Sequence, residues 1–124
     1  MPKLNFNFTS DRPIYLQLVE QLTLYIVSGK LPPGDKLPPI RELALRAKVN
    51  PNTIQRALTE LEDQRLIYTE RTNGKFVTQN IKLITKYREQ SAYTITQQYF
   101  QTMANLGFDR KTTINYLKKE KNHE

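Results

Sequence analysis

The residues that could do catalytic chemistry in this sequence are few and badly spaced for it. None of the 124 residues is a cysteine, so neither a thiolate nucleophile nor a thiolate metal site can be built. The one histidine, His123, lies beside the C-terminus and reads as a tail residue rather than a ligand or a base. Glu60 and Glu62 stand two apart, which turns them to different faces of a helix. No glycine-rich loop is present to cradle a phosphate, so no enzyme activity and no cofactor is expected. What the sequence does offer is a hydrogen-bonding helix tip. In VNPNTIQRAL (49–58), Asn50 is a good helix cap, and proline is tolerated only in a first turn, where its missing N–H has no partner to lose. Asn50 as N-cap and Pro51 at the first helical position leave Asn52 and Thr53 short, polar and exposed at the positive end of the helix dipole.

The composition bounds what such a tip can serve. The hydrophobic fraction of 38% allows one modest core plus an appendage, not two full domains. A net charge of +7 favours a polyanionic partner without naming one. The absence of cysteine fits a reducing compartment. No basic-then-apolar leader opens the chain, and the uncharged stretch QLTLYIVSG is too short to span a bilayer. A cytoplasmic protein with no membrane partner is expected.

The elements that must position the tip follow from periodicity. Leu4, Phe6 and Phe8 alternate with polar residues, a weak strand signal. Asp11 and Pro13 open a helix over about residues 12–28, with Tyr15, Leu18, Leu22 and Ile26 at helical spacing and Gly29 at its end. LPPGDKLPP (31–39) holds four prolines and a glycine, which argues for a stiff connector, neither helix nor sheet. A helix of about eight residues begins near Pro39, with Ile40, Leu43 and Ala44 on one face. It is too short to be stable without packing. Helix three starts at Pro51 and turns Ile54, Ala57, Leu58 and Leu61 inward. In LIYTERTNGKFVTQ (66–79), two strand-favouring runs flank Asn73-Gly74, a strong hairpin signal. Beyond Asn80, Ile84, Tyr87, Ser91, Ile95, Tyr99, Met103 and Leu106 recur at steps of three and four. They predict one amphipathic helix of about 25 residues. Leu106-Gly107 closes it, and Asp109 caps a last short helix. The fold class is thus mainly α with a small β-hairpin: a winged helix-turn-helix domain over 1–79 and a two-helix dimerisation tail over 80–124.

Residues 13–77 carry a resemblance. Tyr15, Gln17, Gly29, Leu31, Pro33-Gly34, Leu37-Pro38, Arg41-Glu42-Leu43-Ala44, Val49, Thr53, Ala57-Leu58, Leu61, Leu66-Ile67, Gly74 and Phe76-Val77 fall at the offsets of the GntR family of bacterial transcription regulators. Asn50-Pro51-Asn52-Thr53 and a C-terminal region of only about 45 residues resemble the short-tailed YtrA-like branch. Three positions depart from the pattern. Pro39 removes a side-chain cap from helix two, Arg65 replaces the usual glycine after helix three, and Thr72 replaces the first of two wing glycines.

In a helix-turn-helix, the tip of the second helix enters the major groove of duplex DNA. Asn50, Pro51, Asn52, Thr53 and Gln55 are expected there, with Asn52 and Gln55 best placed to meet base edges. Asn50 reads equally well as a plain cap. The resemblance implies a DNA contact for Arg41, the competing partner being Glu42 or Glu62. Lys48 and Arg56 are candidate phosphate contacts, and Arg71, Thr72, Asn73, Gly74 and Lys75 form the wing tip. The spare apolar face of the long helix, with Ile84, Tyr87, Ile95, Tyr99, Met103 and Leu106, predicts a homodimer, whose symmetry implies a palindromic operator. The resemblance implies a transcription regulator, expected to be a repressor. A small-molecule effector stays open. RNA or protein docking on the same fold is the alternative.

Overall fold

The computed structural model describes residues 4–120, and His123 lies outside them. The elements run α1 (Ile14–Val27), α2 (Ile40–Ala47), α3 (Pro51–Asp63), β1 (Ile67–Glu70), β2 (Gly74–Val77), α4 (Ile81–Asn105) and α5 (Arg110–Glu120). Five helices and one antiparallel hairpin match the predicted order. Packing separates the chain between Tyr87 and Arg88 into two compact units.

The first unit is built around α3. Leu18, Leu22 and Ile26, spaced by one turn on α1, bury completely, as do Ile54, Ala57, Leu58 and Leu61 on α3. α2 adds Leu43, Ala44 and Ala47, and the hairpin adds Ile67 and Val77. α3 packs against α1, α2 and β1 at once, so its exposed first turn is fixed from three sides. The core continues into α4. Ile84 is buried in it and Tyr87 packs against it, donating from its hydroxyl to the Gln64 carbonyl at 3.4 Å. Packing therefore carries this unit through Tyr87, past the boundary expected at 79.

Three helices end on a left-handed residue followed by a hydrophobic one. Lys48 (φ 58°), Arg65 (φ 64°) and Gly107 (φ 100°) take that conformation. The next N–H then reaches back five residues: Val49 to Ala44 (3.1 Å), Leu66 to Leu61 (3.0 Å) and Phe108 to Met103 (3.0 Å). Arg65 thus adopts the strained turn that its position demands. The strain of about 1–2 kcal/mol is offset by the full burial of Leu66.

Two expectations are corrected. Residues 4–8 do not join a sheet. They run extended along α1, where Gln17, Gln21 and Tyr25, each one turn apart, supply the partners that a neighbouring strand would have offered. Gln21 accepts from Asn7 N–H (3.1 Å) and donates to its carbonyl (2.6 Å), and Gln17 and Tyr25 do the same for Thr9 and Asn5. The proline-rich connector also joins the hairpin after all, because its prolines flank its paired residues rather than interrupt them. Lys36 bridges Phe76, Val77 N–H donates to the Asp35 carbonyl (2.8 Å), and Leu37 N–H donates to the Lys75 carbonyl (2.8 Å). Pro39 precedes α2 with no side-chain cap.

In the second unit, α4 and α5 meet at the Gly107 turn. Asp109 caps α5 by accepting from Thr112 N–H at 2.8 Å, and that hydrogen bond holds its carboxyl below the usual range. Met103 and Thr113 are its buried side chains among the described residues.

The side chain of Gln17 is buried and makes contacts at both ends, donating to the carbonyls of Thr9 and Arg12. Replacing it by methionine, of similar volume, strips those backbone groups of their partners. Gln17→Met should lower unfolding stability by about 1–3 kcal/mol in urea denaturation. A loss below about 0.5 kcal/mol would show that the N-terminal segment is held by other means.

Candidate nucleic-acid interface

The N-terminus of α3 is closed by its own cap. Asn50 Oδ1 accepts from Asn52 N–H at 2.8 Å, the Asn50 carbonyl accepts from Thr53 N–H at 2.9 Å, and Pro51 holds the first helical position. Asn50 is therefore a cap, and its side-chain NH2 group remains to donate outward. Pro51, Asn52, Gln55 and Arg56 are exposed, Thr53 is half-buried, and the opposite face of the same helix is the core. The tip is one continuous polar surface of short side chains on a rigid helix.

Which cations of α2, α3 and the turn between them stay unpaired depends on where the carboxylates sit. Glu42 pairs with Arg46 at 2.9 Å, one turn along α2, and Glu62 pairs with Lys75. Both acids that could have taken up Arg41 are thus engaged, and Arg41 has no ion-pair partner among the described residues. Lys48 is likewise exposed and unpaired, raised at the α2–α3 turn by its left-handed backbone. Arg56 takes a form that its sequence position does not disclose. Its guanidinium lies over the ring of Tyr15, 3.7 Å from the centroid. Stacking occupies the flat face and leaves the N–H edge free to donate. Ile14, Tyr15, Asn52, Thr53 and Arg56 line one shallow cleft between the starts of α1 and α3. Nothing in the spacing of Tyr15 distinguished this role from core packing.

The wing presents Arg71 as expected but not Lys75. The turn spans Arg71, Thr72 and Asn73, closed by Asn73 N–H on the Glu70 carbonyl at 3.1 Å. Gly74 (φ 108°) already pairs with Glu70 as the first residue of β2, so the loop is longer than a two-residue Asn-Gly turn. Arg71, Thr72, Asn73 and Gly74 are exposed at the tip. Lys75 is not available there. Alternation along β2 turns it inward with Val77, where Nζ donates to Glu62 on α3 and to Thr69 Oγ1. It ties the wing to α3 instead of facing outward.

The side chains expected between copies of the chain divide in the same way. Ile84 and Tyr87 belong to the first unit's core, as described above, and Met103 is buried within the second unit. Ile95 (61%), Tyr99 (37%) and Leu106 (70%) remain exposed. Among the described residues, no helix is long and apolar enough to cross a membrane.

Three helices with a tip so presented, followed by a hairpin, define a winged helix-turn-helix. The family model "Bacterial regulatory proteins, gntR family" matches residues 14–77. Over 111 residues the chain is 34% identical to the uncharacterised HTH-type transcriptional regulator YhcF of Bacillus subtilis, covering 90% of this chain and 92% of that one. It is 42% identical to the transcriptional repressor YtrA of B. subtilis over 73 residues, which are 59% of this chain and 56% of that one. A GntR family transcriptional regulator from Listeria monocytogenes superposes with a TM-score of 0.83 at 39% identity, over 90% of this chain and 98% of the other. The DNA-binding domain of AraR, solved in complex with operator ORX1, superposes with a TM-score of 0.56 at 29% identity, over 61% of this chain and all of that domain. The chain belongs to the GntR family of bacterial transcription regulators.

The Glu62–Lys75 tie makes wing anchoring depend on pH. Burial pushes the Glu62 carboxyl up, but the hydrogen bonds from Lys75 and Thr69 outweigh it and hold it below the ordinary glutamate range. A depressed folded pKa gives stability that is present above the unfolded value and lost as pH falls through the folded one. The chain should therefore lose stability from this group below about pH 5. Glu62→Gln should be less stable at pH 7 and shed less on acidification to pH 3.5, read by urea denaturation at both values. Equal acid losses in the two proteins would contradict this.

Proposed function

We propose that this regulator is a repressor that binds an inverted-repeat operator in double-stranded DNA as a homodimer in the cytoplasm. The observation that carries the reading is the α3 tip. Asn52 and Gln55 stand exposed on a helix whose other face is buried, and Arg41 on α2 and Lys48 at the α2–α3 turn have no carboxylate partner among the described residues. Asparagine and glutamine can pair with adenine through two hydrogen bonds each, while unpaired cations release counterions on meeting phosphate. Likeness to a domain solved on operator DNA supports a duplex as the partner, and likeness to a protein named as a repressor supports the sign of regulation.

Surface chemistry supports the dimer. A helix pair that buries Met103 and Thr113 while exposing Ile95, Tyr99, Leu106 and Tyr116 leaves more apolar side chain in water than a stable free-standing unit usually does. A second copy covers that surface in a twofold assembly and sets two α3 tips about 34 Å apart, or a multiple of it, on one side of the duplex.

The test is a binding series on duplexes selected from a random pool by the wild-type chain, each competed with random duplex. Asn52→Ala and Gln55→Ala should each cost about 1–3 kcal/mol on the selected sequence and leave the salt dependence unchanged. Arg41→Ala should weaken binding to every duplex alike and lower the slope of log K against log salt by about 0.9. A wild-type chain displaced equally well by selected and random duplex would overturn sequence-specific reading and favour a general polyanion or RNA partner.

A further inference from the structure

Arg71 stands exposed at the wing tip, but the lysine that the sequence places next to the wing glycine is turned inward. Lys75 is committed to Glu62 and Thr69 on the face of the hairpin that packs against α3. The opposite face carries Tyr68 and Phe76, whose rings stack at 5.7 Å, and Gly74 beside the turn. A third extended segment lies against that face's edge. Lys36 pairs with Phe76, which puts its side chain on the same face and diagonal to Gly74.

The fit at that diagonal is specific. A Cβ built on Gly74 would stand 3.1 Å from Lys36 Cε and 3.8 Å from Nζ. The lysine stem therefore crosses the backbone where the glycine has no side chain, and its ammonium arrives at the wing tip. Gly74 thus serves two needs at once, the positive φ of the turn and the passage of Lys36. The backbone of Lys36 cannot wander. Gly34 N–H donates to the Val77 carbonyl (2.9 Å), Leu37 N–H donates to the Lys75 carbonyl (2.8 Å), and buried Leu37 anchors the segment in the core. Pro33 and Pro38 bracket it with fixed backbone angles. Lys36 has no ion pair among the described residues, while Glu70, the acid of the hairpin, accepts from Asn73 Nδ2 at 3.1 Å.

We propose that Lys36, delivered from the proline-rich connector across Gly74, is the lysine that the wing presents to a DNA backbone phosphate, in the place that sequence position assigns to Lys75. This rests on the reading of the chain as a duplex-binding regulator. Lys36 is a backbone contact with no base preference, and it couples the connector before α2 to the duplex through the wing.

The experiment compares Lys36→Met, Lys36→Arg and Lys75→Met with wild type on a selected and on a random duplex, over a range of salt, with the fold of each checked by circular dichroism. Methionine keeps the stem across Gly74 and removes only the charge. Lys36→Met should lose roughly five- to tenfold in affinity at 0.1 M salt on both duplexes and lower the salt slope by about 0.9. Lys36→Arg should restore both, and Lys75→Met should keep the wild-type slope. A Lys36→Met chain with the wild-type slope, or a Lys75→Met chain that shows the loss in its place, overturns the assignment while wild-type binding still stands. Failure of wild type to prefer the selected duplex is the separate outcome that removes the reading beneath it.

Discussion

The first turn of α3 is held by two acceptors on one residue. Asn50 takes the Asn52 N–H on its side-chain oxygen and the Thr53 N–H on its carbonyl, and Pro51 contributes no donor that needs a partner. With its orphan amides so arranged, the helix can begin in water rather than inside the core. Its apolar residues then fall on the side facing α1, α2 and β1, and Asn52 and Gln55 on the side facing out. The rest of the first unit can be understood as support for that tip. The connector, the wing and the start of α4 all converge on the core that α3 organises.

Charge partition does the second half of the work. Exposed ion pairs stabilise a fold by at most about 1 kcal/mol, so Arg12–Glu20 and Arg46–Glu42 are not what keeps the chain folded, and the half-buried Lys75–Glu62 pair fixes the wing rather than the core. Their effect is selective. By engaging Glu42 and Glu62 they leave Arg41, at the start of α2, and Lys48, at the α2–α3 turn, without an ion-pair partner among the described residues. Stacking on Tyr15 does for Arg56 what a carboxylate could not, since it orients the guanidinium without neutralising it.

Much of this was legible in the sequence, and the reasons differ by element. Pro51, Asn73-Gly74 and Leu106-Gly107 each mark backbone conformations that few residues adopt, so α3, the hairpin and the end of α4 could be read from local chemistry alone. The 25-residue α4 declared itself by period. What could not be read was whatever depends on a partner far along the chain. Gln17, Gln21 and Tyr25 look like ordinary helix residues until the N-terminal segment lies against them. Lys75 and Lys36 are both lysines near a glycine, and only the register of β2 sends one to Glu62 and the other across Gly74. Ile84 and Tyr87 share one helical stripe with Ile95 and Tyr99, and periodicity alone cannot say where along that stripe one core ends.

On the proposed function, the residues capped by Asn50 form the surface that meets the duplex. Backbone amide chemical shifts recorded while a selected duplex is titrated in would test it most directly. Asn52, Thr53 and Gln55 should shift most and gain protection from hydrogen exchange, with smaller changes at Arg41 and the 71–74 turn. Saturated binding with those amides unmoved, and the shifts gathered elsewhere on the chain, would contradict it.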